Sequence, residues 1–182
     1  MPTPLGHSLA GLAIFALSEK RGTRRHVPLG ERLGWGALCV VASNAPDLDF
    51  IAWGKNGLEL TSRYHHGLTH SIGFAVMFGL AISLWAAMRG FHSPGKVFVL
   101  TSSSIWMHAV MDLFGTDNYP VNGIGLPLLW PVTGRYFVAP VMPGVSRAHP
   151  FDPASLFGLG VEFVLYSSIL LSVLFFTRKK NR

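Results

Sequence analysis

The chain has 182 residues, enough for one domain, yet only 13% are charged and 49% are hydrophobic, with a mean hydropathy of +0.38. Soluble domains carry about 25% charged residues, so this composition points to a membrane protein. The single cysteine, Cys39, excludes an internal disulfide and any cysteine-based zinc site, leaving His, Asp and Glu as the available metal ligands.

Five apolar stretches succeed one another, at about 5–18, 33–53, 68–88, 97–115 and 156–177. A spanning helix needs about 20 residues, so the last four qualify and the first is short. The expectation is an all-α, multi-pass helical bundle of four or five spans, forming one integral membrane domain over residues 1–182. The N-terminus MPTPLGH lacks the basic start of a signal peptide, and the cluster EKRGTRRH follows the first apolar stretch instead of preceding it. That order predicts an outside N-terminus and a cytoplasmic first loop.

Threading the stretches from this start assigns eleven of the fifteen basic residues to the cytoplasm, Arg89, Lys96 and the tail RKKNR among them, and leaves Lys55, Arg63, Arg135 and Arg147 outside. This bias explains the net charge of +6 as membrane topology, with no need for nucleic acid as a partner. The connection at about 116–154 is rich in Pro and Gly and carries Trp130, Tyr136 and Phe137. Its irregular backbone cannot face lipid, so it is expected to form a lid or re-entrant segment on the outer face.

Ionisable side chains near membrane helices are costly, about 2.5–3.5 kcal/mol for an Asp at a helix centre, and mark function. His7 opens the first stretch, and Asp47 and Asp49 stand in NAPDLDF at the end of the second. RYHHGLTHS supplies His65, His66 and His70 before the third, where Thr69 is a possible helix cap. His66 and His70 are spaced i, i+4, and His65 and His70 i, i+5, so both pairs stay open. His108 and Asp112 in HAVMD share one helix face, a chelating spacing. Glu162 lies in the outer half of the fifth stretch.

Taken singly, each motif has a plainer explanation as a cap or a satisfied polar residue. The Lys and Arg count nevertheless delivers all of them to the same membrane face. Seven candidate ligands, His7, Asp47, Asp49, His65, His70, His108 and Asp112, exceed the three or four that one zinc ion takes, which fits two ions sharing a carboxylate.

The order of these motifs, GH near the N-terminus, PDLD, HHGLTHS, HAVMD and GIGLPLLWP, resembles the YdjM-like family of inner-membrane metal-dependent hydrolases, often described as LexA-regulated and as distantly similar to zinc phospholipase C and P1 nuclease. The resemblance implies that the same seven residues form the metal centre of a bacterial or archaeal inner-membrane protein. It favours His65 over His66 as a ligand, because the family usually has Arg where this chain has His66; Arg63 or Arg135 would then take over a phosphate contact.

The leading expectation is a hydrolase holding zinc, or manganese, and cleaving a phosphoester in a lipid or lipid-linked substrate at the outer leaflet, with Asp49 or Glu162 as general base. Transport would require polar residues through the membrane depth, and FAVMFGLAISLW and YSSILLSVLFF offer only Ser. A purely structural metal is the third reading. The absence of HExxH argues against a common zinc protease arrangement.

Overall fold

The computed structural model describes residues 2–19, 28–49, 65–91, 93–115, 125–146 and 149–179. These form five α-helices: α1 (Pro4–Ser18), α2 (Leu29–Asn44), α3 (Ile72–Met88), α4 (Pro94–Phe114) and α5 (Pro153–Lys179). Two 3-10 turns, Pro46–Leu48 and Leu68–His70, precede and follow the segment between α2 and α3. Among the described residues there are no strands, only isolated bridges between Gly115 and Met142 and between Leu126 and Phe137.

α4 is the centre, packing against α1, α2 and α3, while α5 packs on α1. Small residues set these approaches. A Cβ on Gly11 would lie 2.6 Å from the Cys39 carbonyl oxygen and 2.7 Å from Ser43 Oγ, so the α1–α2 contact requires hydrogen there. In lipid, where helices gain little by hiding apolar surface from each other, such close backbone approach is a main source of packing energy.

Two helices, Pro94–Phe114 and Pro153–Thr177, are long and apolar enough to cross a bilayer; α1 and α3 are shorter apolar helices. α5 turns Phe157, Phe163, Leu171, Phe175 and Phe176 outward with more than half of each side chain's surface exposed, an arrangement suited to lipid contact.

The second apolar stretch does not run to Trp53 as one helix. Pro46 has no N–H to give the Ala42 carbonyl, which instead accepts from Ala45 N in a 3-10 contact of 3.3 Å, and the chain tightens into the turn Pro46–Leu48. Trp53 itself lies outside the described residues, as do Lys55, Arg63, Arg147 and most of the basic cluster after α1. Nor does Thr69 cap α3. Ser71 does, its Oγ accepting from Phe74 N at 3.1 Å, which frees the Thr69 hydroxyl for another partner.

The irregular connection, described from residue 125, docks on the start of α3. Ile72 N donates to the Leu128 carbonyl at 2.9 Å and Gly73 N to the Trp130 carbonyl at 2.8 Å, so two of the orphan donors of that helix end are satisfied by LPLLWP. Only glycine fits at position 73, since a Cβ would sit 2.6 Å from the Trp130 carbonyl oxygen. The described part of that motif, Gly125 to Pro131, thereby fixes the helix end that presents His70.

Candidate metal centre

The start of α1, the end of α2, the turn before α3 and the end of α4 all meet at the same end of the bundle, because consecutive helices run antiparallel. His7, Asp47, Asp49, His65, His66, His70, His108 and Asp112 gather there. His7, His70 and His108 are fully buried, and His65, His66 and Asp112 are 4% exposed or less. Burying this many polar groups is costly unless they serve each other or a shared cation.

The helix end at Asn44 supplies the first fixed orientation. Ser43 is one of the last residues of α2, so its carbonyl is available, and His108 Nδ1 lies 2.7 Å from it. A carbonyl only accepts, so Nδ1 carries a proton and Nε2 is the ring atom left to face the cluster, where it can offer a lone pair to a bound cation.

Thr69 fixes the second. Its hydroxyl donates to Asp49 Oδ2 at 3.0 Å, and with that single proton committed, the oxygen accepts from His70 Nδ1 at 2.9 Å. His70 Nε2 is again a lone pair. Burial depresses the His70 pKa to about 3, against the opposing pull of Asp112, so the ring is neutral at physiological pH. Asp49 Oδ1 completes the relay 2.9 Å from His65 Nδ1, leaving His65 Nε2 directed at Asp47 Oδ1, 3.8 Å away. Burial raises the Asp49 pKa, while the nearby histidines and Thr69 oppose the rise.

These lone pairs converge on carboxylate oxygens. His70 Nε2 and His108 Nε2 are 3.1 Å apart and lie 3.1 and 3.0 Å from Asp112 Oδ2. Asp47 Oδ1 is 3.9 Å from the first nitrogen and 3.7 Å from the second. Lone pairs and carboxylates at these separations repel unless a cation or a proton lies between them. Ligands about 2.0–2.1 Å from a tetrahedral zinc stand about 3.4 Å from one another, within the range found here. Asp47, His70, His108 and Asp112 thus form a donor set of the right chemistry and span, with all four ligand atoms within 4.8 Å of each other.

His65, His66 and His70 make a second such group. The family resemblance favoured His65 over His66, yet the structure brings both inside. His66 adopts the left-handed region at φ 65°, which directs its ring inward, with Nε2 3.8 Å from Asp112 Oδ2. Histidine tolerates this conformation better than most residues, at some local strain. His7 stacks on His108 with ring centroids 3.8 Å apart, and its Nε2 lies 3.5 Å from Asp112 Oδ1. Among the described residues, neither ring nitrogen of His7 nor either oxygen of Asp112 has a partner in hydrogen-bonding geometry, which leaves them available to a cation.

Two of the expected participants have other partners. Asp49 is held by Thr69 and His65, and its Oδ2 is 3.9 Å from His70 Nδ1, the ring atom facing away from the convergence point. Glu162 Oε1 accepts from Thr3 N at 2.7 Å, Thr3 Oγ1 at 2.8 Å and Gly6 N at 2.9 Å, capping the start of α1. Arg135 is exposed in the irregular connection, and Arg63 lies outside the described residues. Sequence reading passed over Ser43 and gave Thr69 only a capping role, whereas their contributions are a carbonyl freed by a helix end and a hydroxyl relay. Neither leaves a motif, although Pro46 signals the first.

No curated protein and no solved structure matches the chain. The family model described as YdjM inner membrane protein matches residues 1–179. With nearly its whole length covered, and with a bundle that carries two helices able to span a bilayer, the chain belongs to the YdjM inner membrane protein family.

Proposed function

We propose that this chain is a membrane-bound, metal-dependent hydrolase that cleaves a phosphoester in a lipid or lipid-linked substrate at the extracytoplasmic face. The observation that carries the reading is the convergence of the His70 and His108 lone pairs with Asp47 and Asp112 on one point. One or two divalent ions, zinc or manganese, would be held there by Asp47, His70, His108 and Asp112 and would supply Lewis-acid chemistry for the hydrolysis. The protein's part is orientation: Ser43 holds His108, the Thr69–Asp49 relay holds His70 and His65, and Glu162 holds the turn that carries His7. Asp49 and Glu162 act in this scheme as positioning residues. The Lys and Arg distribution supports an outside site, with four to five spans, an outside N-terminus and a cytoplasmic tail.

Metal analysis of the purified protein, run beside a hydrolysis screen of phospholipids and lipid-linked phosphates, tests the reading. Near-stoichiometric metal with metal-dependent turnover is expected; metal-free wild-type protein would sink it. Near-complete burial of His7, His70 and His108 favours one second reading, a metal that only ties the helices together. That reading predicts bound metal without turnover and unfolding on chelation.

A further inference from the structure

At the opposite end of the bundle a cleft of about 620 Å³ opens between α2 and α3, with the first turns of α4 as its floor. Val97 on that floor is eleven residues from His108, which places the cleft about 16 Å from the histidine cluster along α4 at about 1.5 Å per residue. Leu38, Ile82 and Val97 give it apolar walls, and Trp35, Trp85 and Phe91 also line it. Trp is the residue type that settles at the lipid headgroup level.

Two cations flank these aromatics. Lys96 Nζ is 4.3 Å from the centroid of the Trp35 ring, and Arg89 Cζ is 5.6 Å from that of Trp85. Both distances fall inside the cation–π range of about 6 Å, so Trp85 holds Arg89 in the lining, and Trp35, also in the lining, holds Lys96 against its own ring. Among the described residues neither cation forms an ion pair, whereas Arg32, at the same end, is neutralised by Glu19 at 3.0 Å. The carboxylate in the lining is Glu31, which accepts from Trp35 Nε1 at 3.2 Å. Two cations against one carboxylate leave the cleft with a net positive charge.

We propose that this cleft is a binding site for an anionic phospholipid, with the phosphate between Arg89 and Lys96 and an acyl chain along the apolar walls between α2 and α3. The charge selects the occupant: a purely apolar ligand leaves both cations unused, and a soluble anion leaves the apolar walls wet. A basic pocket between helix ends is a recurrent way to recognise an anionic headgroup. The inference is independent of the metal centre and of its chemistry.

Gly34 provides a probe that keeps both cations, because a Cβ there meets nothing within 4 Å and a large side chain would project into open space. The test is native mass spectrometry of the full-length protein released from detergent after incubation with dioleoyl phosphatidylglycerol or dioleoyl phosphatidylcholine. Wild type is expected to retain phosphatidylglycerol preferentially, and retention should fall about fivefold for each of Arg89→Ala and Lys96→Ala. Gly34→Phe, with circular dichroism and elution volume unchanged, should lower retention of the same lipid. Equal retention of the two lipids, undiminished retention in the double Ala variant and in Gly34→Phe, or a lipid-free dimer in place of the lipid adduct would overturn the proposal.

Discussion

His108 Nδ1 lies 2.7 Å from the Ser43 carbonyl, and the contact exists because α2 stops where it does. Were the helix to continue past Pro46, Ser43 O would accept from the backbone N–H four residues on, and His108 would lose the acceptor that sets its tautomer.

Pro46→Ala tests that dependence. Restoring the missing donor favours extension of α2, so metal affinity is expected to fall about 10- to 100-fold, the usual cost of losing an outer partner of a ligating histidine. Competition against a chromogenic chelator measures it, with helical circular dichroism as the control for folding. Unchanged affinity would mean that Ser43 does not orient the ring.

Removing donors at the convergence point should act more severely. Asp112 faces three of the imidazoles through Oδ2 and His7 through Oδ1. Asp112→Asn keeps the shape and deletes the charge, and His108→Ala deletes a lone pair. Both are expected to abolish metal retention through gel filtration, read by elemental analysis. His149→Ala, an exposed histidine outside the cluster, should retain the wild-type content.

Asp49 and Thr69 separate a ligand from a positioning residue. If Asp49 works only through His65 and Thr69, then Asp49→Asn and Thr69→Val should each weaken metal binding by about 10- to 100-fold without abolishing it. Thr69→Val preserves volume and removes the hydroxyl that links His70 to Asp49. Complete metal loss in Asp49→Asn, equal to that in Asp112→Asn, would instead make Asp49 a direct ligand.

The part of the centre that was legible in sequence is the part built from costly residues. His7, Asp47, His65, His70, His108 and Asp112 stand out because an apolar chain has few reasons to carry them, and the Lys and Arg count, blind to His and Asp, gathered them on one side. What escaped was backbone chemistry. The carbonyl of Ser43 becomes an acceptor only once the helix end is placed, and the capping role expected of Thr69 is taken by Ser71, two residues on. For His66 the spacing left the question open and the resemblance favoured His65: the ring turns inward through a φ of 65°, a choice that residue identity does not reveal. Helix ends were shifted in the same manner, since hydropathy continues past Asn44 while hydrogen bonding changes at Pro46.

Glu162 and Gly6 offer the sharpest distinction between architecture and chemistry. A Cβ on Gly6 would collide with Glu162 Oε1 and lie 3.0 Å from its Cδ, so this glycine is what lets the carboxylate reach the start of α1. Gly6→Ala should lower stability by about 1–3 kcal/mol, the range for overpacking a closed site, seen as a lower thermal midpoint in detergent. Glu162→Gln replaces one acceptor oxygen with a donor and weakens a carboxylate that now serves three donors. Because His7 follows Gly6 directly, metal content should decline with the midpoint in both variants. A general base would behave otherwise: Glu162→Gln would then lose turnover while keeping its metal and its midpoint, and that pattern would return Glu162 to the chemistry.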